Sequence, residues 1–225
     1  MTVDGQDAAG GGQDRRAFRR EGEAQRRADL IGATLALVAE GGLEAATVRA
    51  IAARAGVTPG LIRHYFAGRE DLIRAAYAQL MHGITDANAQ ALDAVAGSPE
   101  ARLAAFVAAS LRPPVMALDV VTLWAGFLHM VRRDPRTRAI HAETYHAYRD
   151  RLEALIADLP GPEPGQVRAL AIAGNAVIDG LWLEGAILPD SFGPDEIARI
   201  GLQSVGRIVG ADLEGAAIAA GVITA

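Results

Sequence analysis

The stretch from Thr47 to Leu72, TVRAIAARAGVTPGLIRHYFAGREDL, constrains this chain more than any other. Thr47 is placed to cap a helix over Val48 to Ala55, whose Val48, Ile51, Ala52 and Ala55 recur at the i, i+3, i+4, i+7 spacing of one buried face. Gly56 can take the left-handed conformation that ends a helix, and Val57 can plug the turn into a small core. Thr58 and Pro59 restart the chain with a hydroxyl at the N-cap and a proline at the first helical position, where its missing N–H costs nothing. The helix that follows, Pro59 to Phe66, has Leu61, Ile62, Tyr65 and Phe66 on its apolar side and Thr58, Gly60, Arg63 and His64 turned outward. Two helices crossed in this way make a helix-turn-helix, whose second helix suits the major groove of double-stranded DNA.

The remaining pattern is helical throughout. A first helix is expected over Gly22 to Glu40, ended by Gly41-Gly42, and a fourth over Arg69 to Val95, with Glu70 and Asp71 in its first turn where they complement the helix dipole. Ser98-Pro99 and Asp134-Pro135 start further helices, and Pro113-Pro114 and Pro160-Gly161-Pro162 stop them. Val120 to Val131 is apolar on nearly all faces and predicts a centrally buried helix. The fold class is therefore all-α: an N-terminal three-helix helix-turn-helix domain over residues 15–68, then a larger helical ligand-binding and dimerisation domain over 69–210. Residues 1–14, rich in Gly, Asp and Gln, predict a disordered tail, and 211–225 a C-terminal tail.

Charge supports this division. The net charge of -5 has the wrong sign for a DNA binder, but residues 13–80 carry a net +3 and residues 81–225 a net -6, with Asp4 and Asp7 making up the rest. Arg15, Arg16, Arg19, Arg20, Arg26 and Arg27 form a basic cluster suited to neighbouring phosphates. The chain has no cysteine, which excludes disulfides, thiolate nucleophiles and Cys-ligated zinc. His141 and His146 lie on different helix faces and no dense carboxylate set joins them or His129, so the pattern is not that of an enzyme. No cofactor is expected. The polar N-terminus and the lack of an uninterrupted apolar run of about 18 residues predict a cytoplasmic protein with no membrane partner.

The residues from Ala33 to Leu72, including Thr47-Val48, Ile51-Ala52, Ala55-Gly56-Val57, Gly60, Tyr65-Phe66 and Glu70-Asp71-Leu72, closely resemble the DNA-binding domain of TetR-family transcriptional regulators. Ile178-Asp179-Gly180-Leu181-Trp182-Leu183 resembles the branch of choline-responsive betaine repressors. The resemblance implies a homodimer that reads a palindromic operator and is released by a small-molecule effector. It assigns base-facing positions to Thr58, Gly60, Leu61 and Arg63, beside Pro59, and phosphate-facing positions to His64, Tyr65 and Arg69. Thr47 and Arg49 become contacts from the preceding helix. The alternative is a constitutive helix-turn-helix protein without effector.

Two further sets follow from side-chain chemistry. Trp124, Phe127, Tyr145, Tyr148 and Trp182, with Asp179 or Glu184 as counter-charge, are candidates for an effector pocket that takes a choline-like ligand, since aromatic faces attract a quaternary ammonium. The rival reading is a largely apolar pocket. Val167, Leu170, Gly174, Val177 and Ile178, with Ile197, Ile200, Gly201, Ser204, Val205 and Ile208, form two stripes that mix aliphatics with small residues. They predict a four-helix dimer interface, the alternative being that the chain's own core satisfies them.

Overall fold

The computed structural model describes residues 10–224, with side chains from residue 22 onward. Residues 1–9 of the expected tail lie outside it, as do the side chains of Arg15, Arg16, Arg19 and Arg20, whereas 10–14 belong to the first helix. Among the described residues there are ten α-helices and no strand. The chain divides into two compact units between Ala76 and Tyr77, a point inside the fourth helix.

The first unit holds α1 (Gly10–Ala45), α2 (Val48–Arg54), α3 (Pro59–Tyr65) and the start of α4 (Arg69–Asp93). Helix α1 is broken where the glycine pair predicts: Gly42 has φ 71°, a conformation costly for other residues. Thr47 accepts from the Ala50 amide at 3.2 Å and opens α2. Gly56, at φ 64°, closes it: its amide donates to Ala53 and that of Val57 to Ala52, the two bonds of a Schellman motif. Leu30, Val38, Ile51, Ile62, Phe66, Leu72 and Ile73 are buried as this unit's core. Because Leu72 and Ile73 sit in the first turns of α4, those turns belong to this unit.

The second unit comprises the rest of α4 with α5 (Pro99–Ser110), α6 (Leu118–Arg133), α7 (Pro135–Ala157), α8 (Val167–Ile187), α9 (Glu196–Val209) and α10 (Leu213–Ala219). The helix at its centre is α5, not α6 as the apolar run predicts. Leu103, Ala104, Ala105, Phe106, Val107 and Ala108 are all at most 2% exposed, so this stretch of α5 is covered on every side, with α7, α8, α9 and α10 packed against the helix. Its alanines let neighbours approach closely. Helix α6 buries only Val121, Leu123 and Phe127 fully and leaves Leu118 56% exposed.

The stripes expected to face a second subunit mostly face inward. Gly174, Ile178, Ile197, Gly201 and Val205 are buried in the protomer's own core, and Val167, Leu170, Val177 and Ile208 pack against it. A Cβ on Gly201 would lie 2.1 Å from Leu111 Cδ1, so this glycine brings α9 against the end of α5 within one chain, whereas one on Gly174 would meet Val205 at an ordinary contact of 3.7 Å. Ser204 is half-buried, and Ile200 alone of the set is exposed. The outward face of α8 lies around the helix: Ala169, Ile172, Ala173, Ala176, Leu183 and Ile187 are exposed and uncharged, at i, i+3, i+4, i+7 spacing. Helix α8 has the length and composition of a membrane span, with a mean hydropathy of 1.3 over 18 residues, but Asn175 and Asp179 fall mid-helix and both hydrogen-bond to Tyr145.

The C-terminal segment is not a loose tail. Leu213, Ala217 and Ile223 are buried, Arg112 bonds both Asp195 at 2.6 Å and the Val222 carbonyl at 2.6 Å, and Arg199 pairs with Glu214 at 3.1 Å. Small size is decisive at Gly206, where a Cβ would lie 2.6 Å from the backbone oxygen of Ala211. Gly206→Ala is expected to destabilise the protein by about 1–3 kcal/mol, read as a lower urea midpoint with an unchanged slope. An unaltered midpoint would mean that the α9–α10 turn yields freely.

Candidate functional sites

The outer surface of α2 and α3 is set by what these helices bury. Ile62 and Phe66 point inward, leaving Thr58, Pro59, Gly60, Arg63 and His64 exposed and Leu61 and Tyr65 half-buried. Thr47 and Arg49 are also exposed. Thr58 occupies the N-cap without using its side chain, so its hydroxyl is not engaged in capping. A Cβ at Gly60 would meet nothing within 4 Å and φ is not positive there, so the fold does not require glycine. The His64 and Tyr65 rings meet edge to face at 5.0 Å.

Two arginines have structural partners that local sequence does not reveal. Arg69, expected to face phosphate, donates from Nε to the Ala46 carbonyl at 2.8 Å and from Nη2 to the Leu43 carbonyl at 2.5 Å. It is half-buried and clamps the turn after α1, satisfying carbonyls left over at the helix end. Arg27 donates to the Tyr65 carbonyl at 3.1 Å and lies 4.3 Å over the Phe66 ring, fixing the end of α3.

The second unit encloses a cavity of about 490 Å³, within the size range of small-molecule sites. Helices α4 and α7 each line it with one i, i+3, i+4, i+7 stripe: Met81, Ile84, Thr85 and Asn88 on the former, His141, Thr144, Tyr145 and Tyr148 on the latter. Helix α8 adds Ile178, Asp179, Trp182 and Leu183, and α6 adds Trp124. Five of the six expected pocket residues thus come together: Trp124, Tyr145, Tyr148, Asp179 and Trp182. Phe127 does not join them, because it is fully buried against Tyr77 at 5.1 Å. Ile178, expected at a dimer interface, lines the cavity instead. The α4 residues and Ser110 were missed, although a stripe mixing apolar and small polar residues on α4 was the signal available.

The lining is apolar at one end and hydrogen-bonded at the other. Trp124 and Trp182 pack edge to face at 5.4 Å, and the Trp182 indole donates to the Val115 carbonyl at 2.8 Å. Opposite them, Asn175 donates to Tyr145 Oη at 2.7 Å and to Asp179 Oδ2 at 3.0 Å, while the Tyr145 hydroxyl donates to the same Oδ2. Ser110 joins Tyr148 at 2.9 Å and Asn88 at 3.1 Å. His141 Nδ1 meets the Tyr77 hydroxyl at 2.7 Å, and its ring stacks on Tyr145 at 5.6 Å. His129 and His146 are exposed and stand apart from His141's site.

Burial dominates the ionisation of this end. It raises Asp179 above the usual carboxylate range, against the opposing pull of the Tyr145 and Asn175 bonds and of His141. It lowers His141, which Asp179 only partly offsets, and so favours the neutral imidazole. The Tyr145 phenol is pushed up to about 12 by burial and by its bond to Asp179. Its proton therefore stays in place near neutral pH.

Comparison with known proteins matches residues 30–76 to the bacterial regulatory proteins of the tetR family and residues 99–210 to the C-terminal domain of BetI-type transcriptional repressors. The HTH-type transcriptional regulator BetI of Burkholderia thailandensis is 33% identical over 168 residues, covering 74% of this chain and 85% of its own. The chain belongs to the TetR family. The BetI regulator of Paraburkholderia phymatum is 31% identical over 176 residues, 78% of this chain and 88% of its own. A crystal structure of a putative transcriptional regulator from Pseudomonas aeruginosa PAO1 superposes with a TM-score of 0.75 at 29% identity, covering 85% of this chain and 94% of that one. This TetR-family chain is accordingly a DNA-binding transcriptional regulator with a BetI-type C-terminal domain, and the class of protein is ligand-responsive.

Linkage at Asp179 gives a test. A raised native pKa means that the stability contribution is fully present below the unfolded value, about 3.9, and is lost as the pH rises through the native value. Above that native value the ionised carboxylate weighs against folding. Asp179→Asn is expected to raise the thermal midpoint at pH 8, with the difference from wild type shrinking as the pH falls towards 4. A wild type that is the more stable at pH 8 would show that the bonds from Tyr145 and Asn175 outweigh burial.

Proposed function

We propose that this chain is a repressor that binds a palindromic operator as a homodimer and is released by a small molecule held in the α4–α8 cavity. The observation that carries the reading is the surface of α3, where burial of Ile62 and Phe66 leaves an uncommitted Thr58 hydroxyl, an unobstructed Gly60 and the Arg63 and His64 side chains side by side. Thr58, Gly60, Leu61 and Arg63 approach base edges, with Pro59 opening the helix. Thr47, Arg49, His64 and Tyr65 approach phosphates. Arg69 acts on this surface through the turn it clamps.

The second copy packs against the outward face of α8, with Ile200 and Ser204 of α9 beside it. This apolar surface has no partner among the described residues, and a two-fold interface matches a palindrome whose half-sites lie about 34–36 Å apart or a multiple of that. A ligand in the cavity touches Met81, Ile84, Thr85 and Asn88, all on α4. Its binding energy is thus available to alter the spacing at which the dimer holds its two DNA-binding ends, weakening operator binding without touching DNA.

Arg63→Ala is expected to cost about 1–3 kcal/mol on a matched operator and less on one mismatched at the contacted base. Equal weakening on both would assign Arg63 to phosphate. Gly60→Val should leave the unfolding midpoint unchanged and abolish specific binding; retained binding would remove the close approach at Gly60. Ile172→Arg should yield a helical monomer in sedimentation equilibrium, and a persisting dimer would rule out the α8 face.

A further inference from the structure

The cavity holds one uncompensated charge. Among its lining residues Asp179 is the sole carboxylate and there is no arginine, while His141, the one other titratable base, is turned to Tyr77 and Tyr145. Both donors that reach Asp179, from Asn175 and Tyr145, converge on Oδ2. Oδ1 receives no hydrogen bond from any described residue. A carboxylate oriented by two bonds at one oxygen and open at the other, facing a largely apolar chamber, is placed to accept from a positive donor.

The aromatic rings do not form the box of faces that would surround a cation lacking N–H groups. The two indoles stand edge to face at an interplanar angle of 88° and so do not present parallel faces, one face of Tyr145 is covered by His141, and Tyr148 leans on Phe106 at 4.8 Å. They provide an apolar wall, and the selective element is the open oxygen of Asp179.

We propose, resting on the reading of this cavity as the effector site, that its ligand class is an apolar amine whose ammonium N–H donates to Asp179 Oδ1 while its hydrocarbon or ring lies along Trp124 and Trp182. A quaternary ammonium supplies the charge without the hydrogen bond. A neutral alcohol of the same shape supplies the hydrogen bond without the charge. Charge and donor must coincide for tight binding.

The chain's two tryptophans both line the cavity, so their emission reports occupancy. Wild-type protein is titrated at pH 7 with 2-phenylethylamine, 2-phenylethanol and choline, and the amine titration is repeated on Asp179→Asn. The amine is expected to bind about ten- to a hundredfold more tightly than either comparator, and the substitution to remove that advantage. Choline binding as tightly as the amine overturns the hydrogen-bond requirement; the alcohol binding as tightly overturns the charge requirement; no response to the amine, or an unchanged amine affinity in Asp179→Asn, overturns the ligand class. The ligand series on wild-type protein decides the matter even where the variant does not fold. Binding of the unliganded protein to DNA selected from a random pool is measured alongside: with DNA binding intact, a failed titration removes only the amine, whereas absent DNA binding removes the regulatory reading itself.

Discussion

Burial of α5 from Leu103 to Ala108 is the constraint from which the second unit takes its form. Five of its twelve residues are alanine, beside Leu103, Phe106 and Val107, so it offers little volume of its own and lets several helices close on it at once. A glycine on a covering helix follows from the same requirement: Gly201 admits Leu111. The one polar side chain at the end of α5, Ser110, is where this packing gives way to the cavity. Its hydroxyl donates to the Phe106 carbonyl at 2.9 Å and links Asn88 with Tyr148, joining α4, α5 and α7 at the chamber's wall. The chamber begins where the centre stops being apolar.

Polar groups in the cavity wall are arranged in short chains, not scattered. Buried polar networks cost little when each donor finds an acceptor. Here Asn175, Tyr145 and Asp179 form one such chain, and Ser110, Asn88 and Tyr148 another. Asn175 leaves its own oxygen without a partner, and Asp179 leaves Oδ1 open, so the first chain is the incomplete one. Incompleteness at a wall that faces a chamber is what a binding site requires, because the missing partner can then be supplied from outside.

Local signals were legible in the sequence and long-range choices were not. Thr47, Gly56, Ser98-Pro99 and Asp134-Pro135 each act within a few residues, and the helices begin and end close to where these residues predict. The face that a helix turns to its neighbours is a different matter. Periodicity identified apolar stripes on α8 and α9, yet α8 is apolar nearly all round, so spacing could not say which stripe meets the chain's own core. The run in α6 looked central because its residues are large; α5 is central because its residues are small. Arg69 was misread for a similar reason: its partners, the carbonyls of Leu43 and Ala46, lie more than twenty residues earlier, and a surface arginine looks the same in sequence whether it faces a phosphate or a carbonyl. Tyr145, Asp179 and Trp182 were found because their chemistry singled them out. Thr85 and Asn88 were passed over because the mixed apolar and small polar stripe they share with Met81 and Ile84 looks in sequence like any half-buried helix face.

Helix α8 has no idle side. Ala171, Gly174 and Gly185 face the protomer's core, Asp179, Trp182 and Leu183 face the chamber, and Ile172, Ala173 and Ala176 face outward. Any substitution along it therefore registers in folding, ligand recognition or surface character, and one at Leu183, which is exposed and also lines the chamber, registers in two of these together. Change in what the chamber accepts has freer ground on α4: Thr85, whose hydroxyl is already satisfied by the Met81 carbonyl at 3.1 Å, can change without disturbing α8, whereas Trp124 is tied to it through Trp182. Evolution and engineering alike are channelled to such positions, and α8 becomes the slow-changing wall of the chamber.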